Sequence, residues 1–259
     1  MLTSLRDGVW RGVLGALVLA CALAPLAEAS QVRGKFERTL TVSGAANLDV
    51  ATGSGDIVVK TGSSSKVVVT GKVQVHYDAG TGMAEAEAAL HKIQANPPID
   101  QDGNSIRIGH RQGPPYEHVS IDYELEVPEG SGLLARTGSG DLVVNGPLNT
   151  VDVKTGSGDA RIAQVKGSVR LTTGSGDVDL SDAGSGGADI KTGSGDVSVG
   201  LPSQGGLKLS VRTGSGDIST DRALSIQSVN THHGMLNAMV RGGGASFVIQ
   251  TGSGDVRIH

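Results

Sequence analysis

The chain has 259 residues, 40 of them glycine, with only one Trp, three Tyr and two Phe and a net charge of −4. The glycines do not recur every third residue, which excludes collagen, and Val, Ile and Leu alternate with polar residues along most of the chain, which argues against wholesale disorder. The aromatic scarcity excludes a base-stacking surface, and the mild charge gives no reason to expect nucleic acid or an anionic membrane as partner.

Residues 1–29 read as an export signal. Arg6 and Arg11 supply a basic start, 13–23 is a short apolar run, and Ala27-Glu28-Ala29 is a small-x-small cleavage site before Ser30. The run is too short for a comfortable membrane span, so the expected mature protein is exported, to the periplasm or the cell surface. Cys21 is the single cysteine, so no internal disulfide forms. Its setting, Val18-Leu19-Ala20-Cys21, is similar to a lipoprotein cleavage box, and lipid anchoring through Cys21 is the alternative to its loss with the signal.

After the signal, Thr-Gly-Ser-Gly-Asp begins at Thr52, Thr137, Thr155, Thr173, Thr192, Thr213 and Thr251, and a degraded copy fills Thr231-His232-His233-Gly234-Met235. From Thr137 the steps are 18, 18, 19, 21, 18 and 20 residues. Inward-facing apolar residues alternate before each corner (Val151, Val153; Val169, Leu171) and resume after it (Ala160, Ile162; Val178, Leu180). Each period therefore holds two short strands and two turns, too little for a propeller blade. The expected fold is all-β: a parallel β-solenoid (β-helix) with two short strands per coil of 18–21 residues, plus one inserted α-helix near 83–95. At about 4.8 Å per coil, seven or so coils make a rod of about 35 Å.

Parity places the motif threonines inward and the residue before each outward, giving a partly basic column: Arg136, Lys154, Thr172, Lys191, Arg212, Asn230 and Gln250. Asp141, Asp159, Asp177, Asp196 and Asp217 form an acidic column beyond the corner. The Gly-Ser-Gly corner is expected to use positive φ, and the second turns, such as 184–187 and 202–206, to absorb the variation in spacing.

The repeat lapses over 72–130. A strand at 73–77, a helix at 83–94 ended by Asn96-Pro97-Pro98, and strands at 105–108 and 119–127 are expected there. The domain reading is a single unit, 30–259, with this helix-bearing insertion capping or flanking the early coils and regular repeats from 131 onward. A separate N-terminal domain is the alternative boundary.

The segment 123–128 (Tyr-Glu-Leu-Glu-Val-Pro), the following Leu134-Ala135-Arg136-Thr137-Gly138-Ser139-Gly140-Asp141 and the threonine–glycine–aspartate coils resemble a bacterial putative-adhesin domain family, related to the head domain of autotransporter adhesins. The resemblance spans most of the mature chain. It implies a β-solenoid exported to the cell envelope and brings no catalytic residues with it.

Several site readings compete. Gly-Ser-Gly-Asp before an apolar residue resembles the calcium β-roll repeat, which makes Asp141, Asp159, Asp177, Asp196 and Asp217 a candidate calcium column, but the period is twice as long and the second acidic turn is missing. The alternative is that these aspartates pair with the basic column or are solvated. Identical aspartates in every coil also fit structural repetition better than a catalytic pair, which needs unequal environments. Ser63-Ser64-Ser65-Lys66 has a serine–lysine nucleophile spacing but lies in a turn. His232 and His233 are adjacent on a turn and mark a relaxed repeat rather than a metal site. No catalytic residue, cofactor or resident metal is expected. The functional expectation is a non-enzymatic adhesin or envelope interaction scaffold, with a cell-surface protein or glycan as partner and self-association through a C-terminal coil left uncapped at His259. An envelope-stress or signalling accessory, a polysaccharide-active enzyme and a calcium-binding repeat protein are the alternatives.

Overall fold

The computed structural model describes residues 30–77, 82–220, 226–232 and 234–259, with side chains undescribed between 221 and 233. The export signal and Cys21 lie outside the described residues, as do the side chains of Asn230, His232 and His233.

Period-two alternation of apolar and polar residues becomes strands along most of the described residues. It opens with β1 (Ser30–Thr41), β2 (Asn47–Thr52), β3 (Ile57–Thr61) and the long β4 (Lys66–Tyr77), then α1 (Met83–Ala95), β5 (Ile99–Asp102), β6 (Ser105–Ile108) and β7 (Val119–Val127). Regular pairs follow: β8 (Gly132–Thr137) and β9 (Leu142–Asn145), β10 (Thr150–Thr155) and β11 (Ala160–Ala163), β12 (Ser168–Ser175) and β13 (Val178–Ser181). Next come β14 (Ala188–Ser194) and β15 (Val197–Val199), then β16 (Leu207–Ser215) and β17 (Ile218–Thr220). The chain closes with β18 (Ile226–His232), β19 (Met235–Val240), β20 (Ala245–Ser253) and β21 (Val256–Ile258).

The first strand of each regular pair joins one sheet and the second joins the other, each lying parallel and in register on its counterpart one coil away. Val151 pairs with Val169 and Ile162 with Leu180, so like residues stack in layers between the sheets. Val151, Val153, Ile162, Leu171, Leu180, Ile190 and Val199 are all buried in one continuous core. The fold is thus an all-β, solenoid-like stack of two sheets. The expected helix and the three expected strands of the interruption are all present.

Coil order departs from chain order at both ends. In space the pairs run β6–β7, β2–β3, β8–β9, β10–β11, β12–β13, β14–β15, β20–β21, β16–β17. Near the start, the segment read as an insertion supplies a coil of its own: β6 lies parallel on β2, and β7 on β3. Near the end, β20 lies between β14 and β16, and β21 between β15 and β17. The C-terminal coil is therefore interior, which corrects the expectation of an uncapped C-terminal coil at His259. After β15 the turn at 200–206 passes over a vacant level that the last coil later fills. Leu201 N–H donates to His259 O (2.9 Å) and His259 N–H to Val199 O (3.0 Å), closing that slot.

Antiparallel strands lie at both ends, a second departure from an all-parallel stack, although at the far end β17 is an edge strand of its sheet among the described residues. At one end β4 pairs antiparallel with β1 and β7, and α1 covers the inner face of this extension through Ala86, Leu90 and Ile93. Gly34 makes room for the helix: a Cβ there would lie 2.9 Å from Leu90 Cδ1 and 2.8 Å from Gln94 Nε2. At the other end β18 and β19 form an antiparallel hairpin on β16. The degraded motif falls in this hairpin and not at a coil corner: Thr231 and His232 end β18, Met235 begins β19, and Gly234 before it has φ +69°.

The corners explain the motif. Thr137, Thr155, Thr173, Thr192, Thr213 and Thr251 are buried, as parity predicts. The Oγ1 of Thr155 accepts the N–H of Gly158 (3.1 Å), and Thr137 repeats this with Gly140 (3.0 Å). The second glycine is required by close approach between coils rather than by left-handed backbone. A Cβ on Gly158 would sit 1.9 Å from Gly140 O. Among the motif glycines, positive φ occurs only at Gly216 and Gly254, both at +154°. The second turns do absorb the spacing, running over 146–149 in one coil and 200–206 in another.

Candidate functional site

Two features stand out, one periodic and one unique. The periodic one is the aspartate that follows each corner. It begins the next strand facing outward, and its backbone N–H points along the stack toward the neighbouring coil. Asp56 N–H donates to Asp122 Oδ1, Asp141 to Asp56, Asp159 to Asp141, Asp177 to Asp159 and Asp196 to Asp177, all within 2.9–3.0 Å. Asp255 N–H donates to Asp196 Oδ1 and Asp217 N–H to Asp255 Oδ1, both at 2.8 Å. The five aspartates of the expected column belong to this ladder, but Asp255 intervenes between Asp196 and Asp217, and Asp56 and Asp122 extend it.

One carboxylate oxygen of each aspartate down to Asp255 is thus engaged by a backbone donor. The repeated aspartate serves first as an inter-coil hydrogen-bond acceptor, a charge-assisted role. The partner expected for it, the basic column, is mostly elsewhere. Arg136 meets Asp49 (2.9 Å), and Lys191 meets Asp189 (3.5 Å), both on the opposite sheet. Arg161 does approach a ladder member, Asp159, at 3.4 Å. Among the described residues, no three His, Cys, Asp or Glu side chains converge on a point that could hold a metal.

The outward column on the other sheet runs in the spatial order Ala51, Arg136, Lys154, Thr172, Lys191, Gln250, Arg212. The Ser63–Lys66 stretch sits in the turn between β3 and β4, away from any helix start. His110 Nε2 lies 3.1 Å from Asp49 Oδ1, beside Arg136.

The unique feature is the corner of the β6–β7 coil. Here residues 109–118 replace Thr-Gly-Ser-Gly, and the corner opens into a cavity of about 480 Å³. Gly109 (φ +80°) starts the departure: a Cβ there would lie 1.8 Å from Ala51 O. Arg111, Gln112, Tyr116, Tyr123 and Arg136 line the cavity together with the corner backbone of neighbouring coils. Arg111 is held by Asp100 (3.0 Å), and hydrogen bonding to that carboxylate raises its pKa further. Tyr123 is 1% exposed, its ring edge-on to Phe36 at 6.5 Å, and burial pushes its phenol pKa up. Gly71 makes that pairing possible, since a Cβ there would lie 2.2 Å from the Phe36 ring. Sequence reasoning singled out none of these lining residues as a site. The available signal was the missing motif between the strands at 105–108 and 119–127.

Comparison with known proteins points to a family and a fold. Among solved structures, the chain is similar to a "putative cell adhesion protein" from Clostridium sporogenes ATCC 15579, with a TM-score of 0.50, 16% identity, and coverage of 88% of this chain and 99% of that one. It is also similar to a "putative adhesin" from Bacteroides fragilis NCTC 9343 (TM-score 0.39, 11% identity, 87% and 97% coverage). A third is a "putative lipid binding protein" from Parabacteroides distasonis ATCC 8503 (TM-score 0.34, 13% identity, 87% and 96% coverage). The first likeness extends to the fold. No curated protein matches the chain. The family model Toastrack DUF4097 matches residues 35–259, the whole stack from within β1 to the final residue, and the chain belongs to the Toastrack DUF4097 family.

Proposed function

We propose that the protein is a non-enzymatic, exported interaction scaffold of the cell envelope that presents the flanks of a parallel β-solenoid to a cell-surface protein or glycan. The single observation that carries this reading is the pair of outward columns held in coil register. The aspartate ladder runs along one sheet, and the Arg136–Lys154–Thr172–Lys191 column along the other. Rigid spacing of like groups at about 4.8 Å offers a repeated, multivalent surface. The ladder aspartates share one setting, whereas an acid–base pair depends on settings that differ, and the cavity at the broken corner has no carboxylate in its lining. Export is part of the proposal through the signal at 1–29, and adhesion through the likeness in fold to the Clostridium sporogenes "putative cell adhesion protein".

The test is fractionation of the native host combined with a pull-down by the mature chain. Surface exposure and recovery of a surface protein or glycan are expected. A purely periplasmic location with no surface-accessible epitope would defeat the adhesion reading.

A further inference from the structure

The cavity at the broken corner is the one place where the repeat's own logic does not explain the residues. At most other corners the threonine, glycines and aspartate satisfy one another and the adjacent coil, the hydroxyl of Thr173 being an exception. Here the ten-residue excursion over 109–118 leaves a walled space beside three coils. Its wall is rich in donors: the guanidiniums of Arg111 and Arg136, the amide of Gln112 and the hydroxyl of Tyr123. The acids that balance the two arginines, Asp100 and Asp49, are not part of the lining. Arg136 donates to Asp49 through one nitrogen, and Arg111 donates to Asp100 and, at 3.5 Å, to Asn96 O, so each five-donor fork keeps donors for a further acceptor.

Tyr123 is the second, independent observation. Its ring is locked in the core between the sheets, and the residue is 1% exposed. Its hydroxyl lies beside Gly109 at the cavity wall, 3.1 Å from where a Cβ of that glycine would be. The hydroxyl is not among the buried polar atoms that lack a partner, which fits an oxygen that opens onto the cavity. Burial keeps the phenol protonated and therefore able to donate.

We propose that this cavity binds a monosaccharide-sized acidic sugar, its carboxylate held by Arg111 and Arg136 and a ring oxygen or hydroxyl accepting from Tyr123. A donor-rich wall calls for an acceptor-rich ligand, and guanidiniums in the lining favour a carboxylate. The lining also offers Tyr116 and the apolar Val119 and Ile121, a surface for the face of a ring, and about 480 Å³ is in the range of small-molecule sites. The site stands whether or not the protein is an adhesin, because it depends only on the local geometry of the β6–β7 corner.

The experiment is calorimetric titration of the mature chain with D-glucuronate, with D-glucose and N-acetylglycine as comparison probes. Glucuronate is expected to bind at least about tenfold more tightly than either. Tyr123→Phe removes only the hydroxyl and keeps the ring in the core, so thermal stability should hold while glucuronate affinity falls about fivefold. Arg111→Gln should weaken it tenfold or more, and Arg257→Gln, outside the cavity, should leave it unchanged. The proposal is overturned if glucuronate gives no binding at millimolar concentration, if Tyr123→Phe and Arg111→Gln both bind it as the parent does, or if glucose matches it. Tighter binding of N-acetylglycine would overturn the sugar assignment.

Discussion

The backbone N–H of Asp177 donates to the carboxylate of Asp159 at 2.9 Å, across 18 residues of chain. The same bond recurs up and down the stack, so each coil is pinned to the next outside the sheet ladder as well as within it. Asp159→Ala should cost about 1 kcal/mol, because the Asp177 donor loses its acceptor at a partly exposed site. Asp159→Asn keeps an acceptor and removes one charge from a column of like charges, so it should be clearly milder. Chemical denaturation of the two variants checks this, and equal losses would mean that the carboxylate acts only through its charge.

Thr155 and Thr173 occupy the same motif position but differ in hydrogen bonding. The Thr155 hydroxyl accepts the Gly158 N–H at 3.1 Å, while the equally buried Thr173 Oγ1 has no partner. Thr155→Val is therefore expected to lose about 1–2 kcal/mol, and Thr173→Val to be neutral or stabilising. Melting temperatures of the pair provide the comparison.

Gly158 shows why the corner glycine is obligatory. A methyl group there would meet Gly140 O at 1.9 Å, and backbone on the adjacent coil has little freedom to retreat. Gly158→Ala should destabilise by about 1–3 kcal/mol or more. Gly205→Ala, with φ +78° but open space around it, tests backbone strain alone. Equilibrium unfolding should rank Gly158→Ala as the more damaging.

The interior position of the last coil makes truncation a strong test. Phe247, Ile249, Val256 and Ile258 are all 0% exposed, with parallel neighbours on both sides. Full burial of each contributes about 1.5–3 kcal/mol, so their sum is comparable with the total stability of a domain. Deleting 245–259 should abolish cooperative thermal unfolding, followed by circular dichroism. A terminal coil would merely shorten the stack.

Lys72 and Glu124 pair across β4 and β7 at 2.5 Å. Their hydrogen bond, and then their charges, raise the Lys72 pKa and lower that of Glu124. The carboxylate's contribution is present above its ordinary value and is lost as pH falls through the depressed one. The ammonium's contribution is present below its ordinary value and is lost as pH rises through the raised one. In Lys72→Met, NMR titration of the Glu124 side chain should show its midpoint moving up toward the ordinary 4.5. The pair is exposed, so global stability should change little.

The repeat made the coils legible because each depends on neighbours one period away, and period-two alternation assigns faces without further information. Val151, Thr155 and Asp159 could be placed inward, at the corner and outward from spacing alone. The corner glycines were recognised but for a different reason. Positive φ is a local property, whereas the 1.9 Å approach of Gly158 to Gly140 exists only once two coils are stacked.

From sequence alone, the strand content, the two-strand coil, the inward threonines and the helix at 83–95 were determined, since each rests on local pattern. Only the tertiary structure decided the order of coils, the antiparallel strands at both ends and the cavity beside Tyr123. Parallel strands with similar inward residues accept one another almost interchangeably, so the pattern does not say that β20 enters between β14 and β16. Nor does it say that β7, with no corner motif of its own, lies on β3 and turns Tyr123 toward a space the motif would otherwise close.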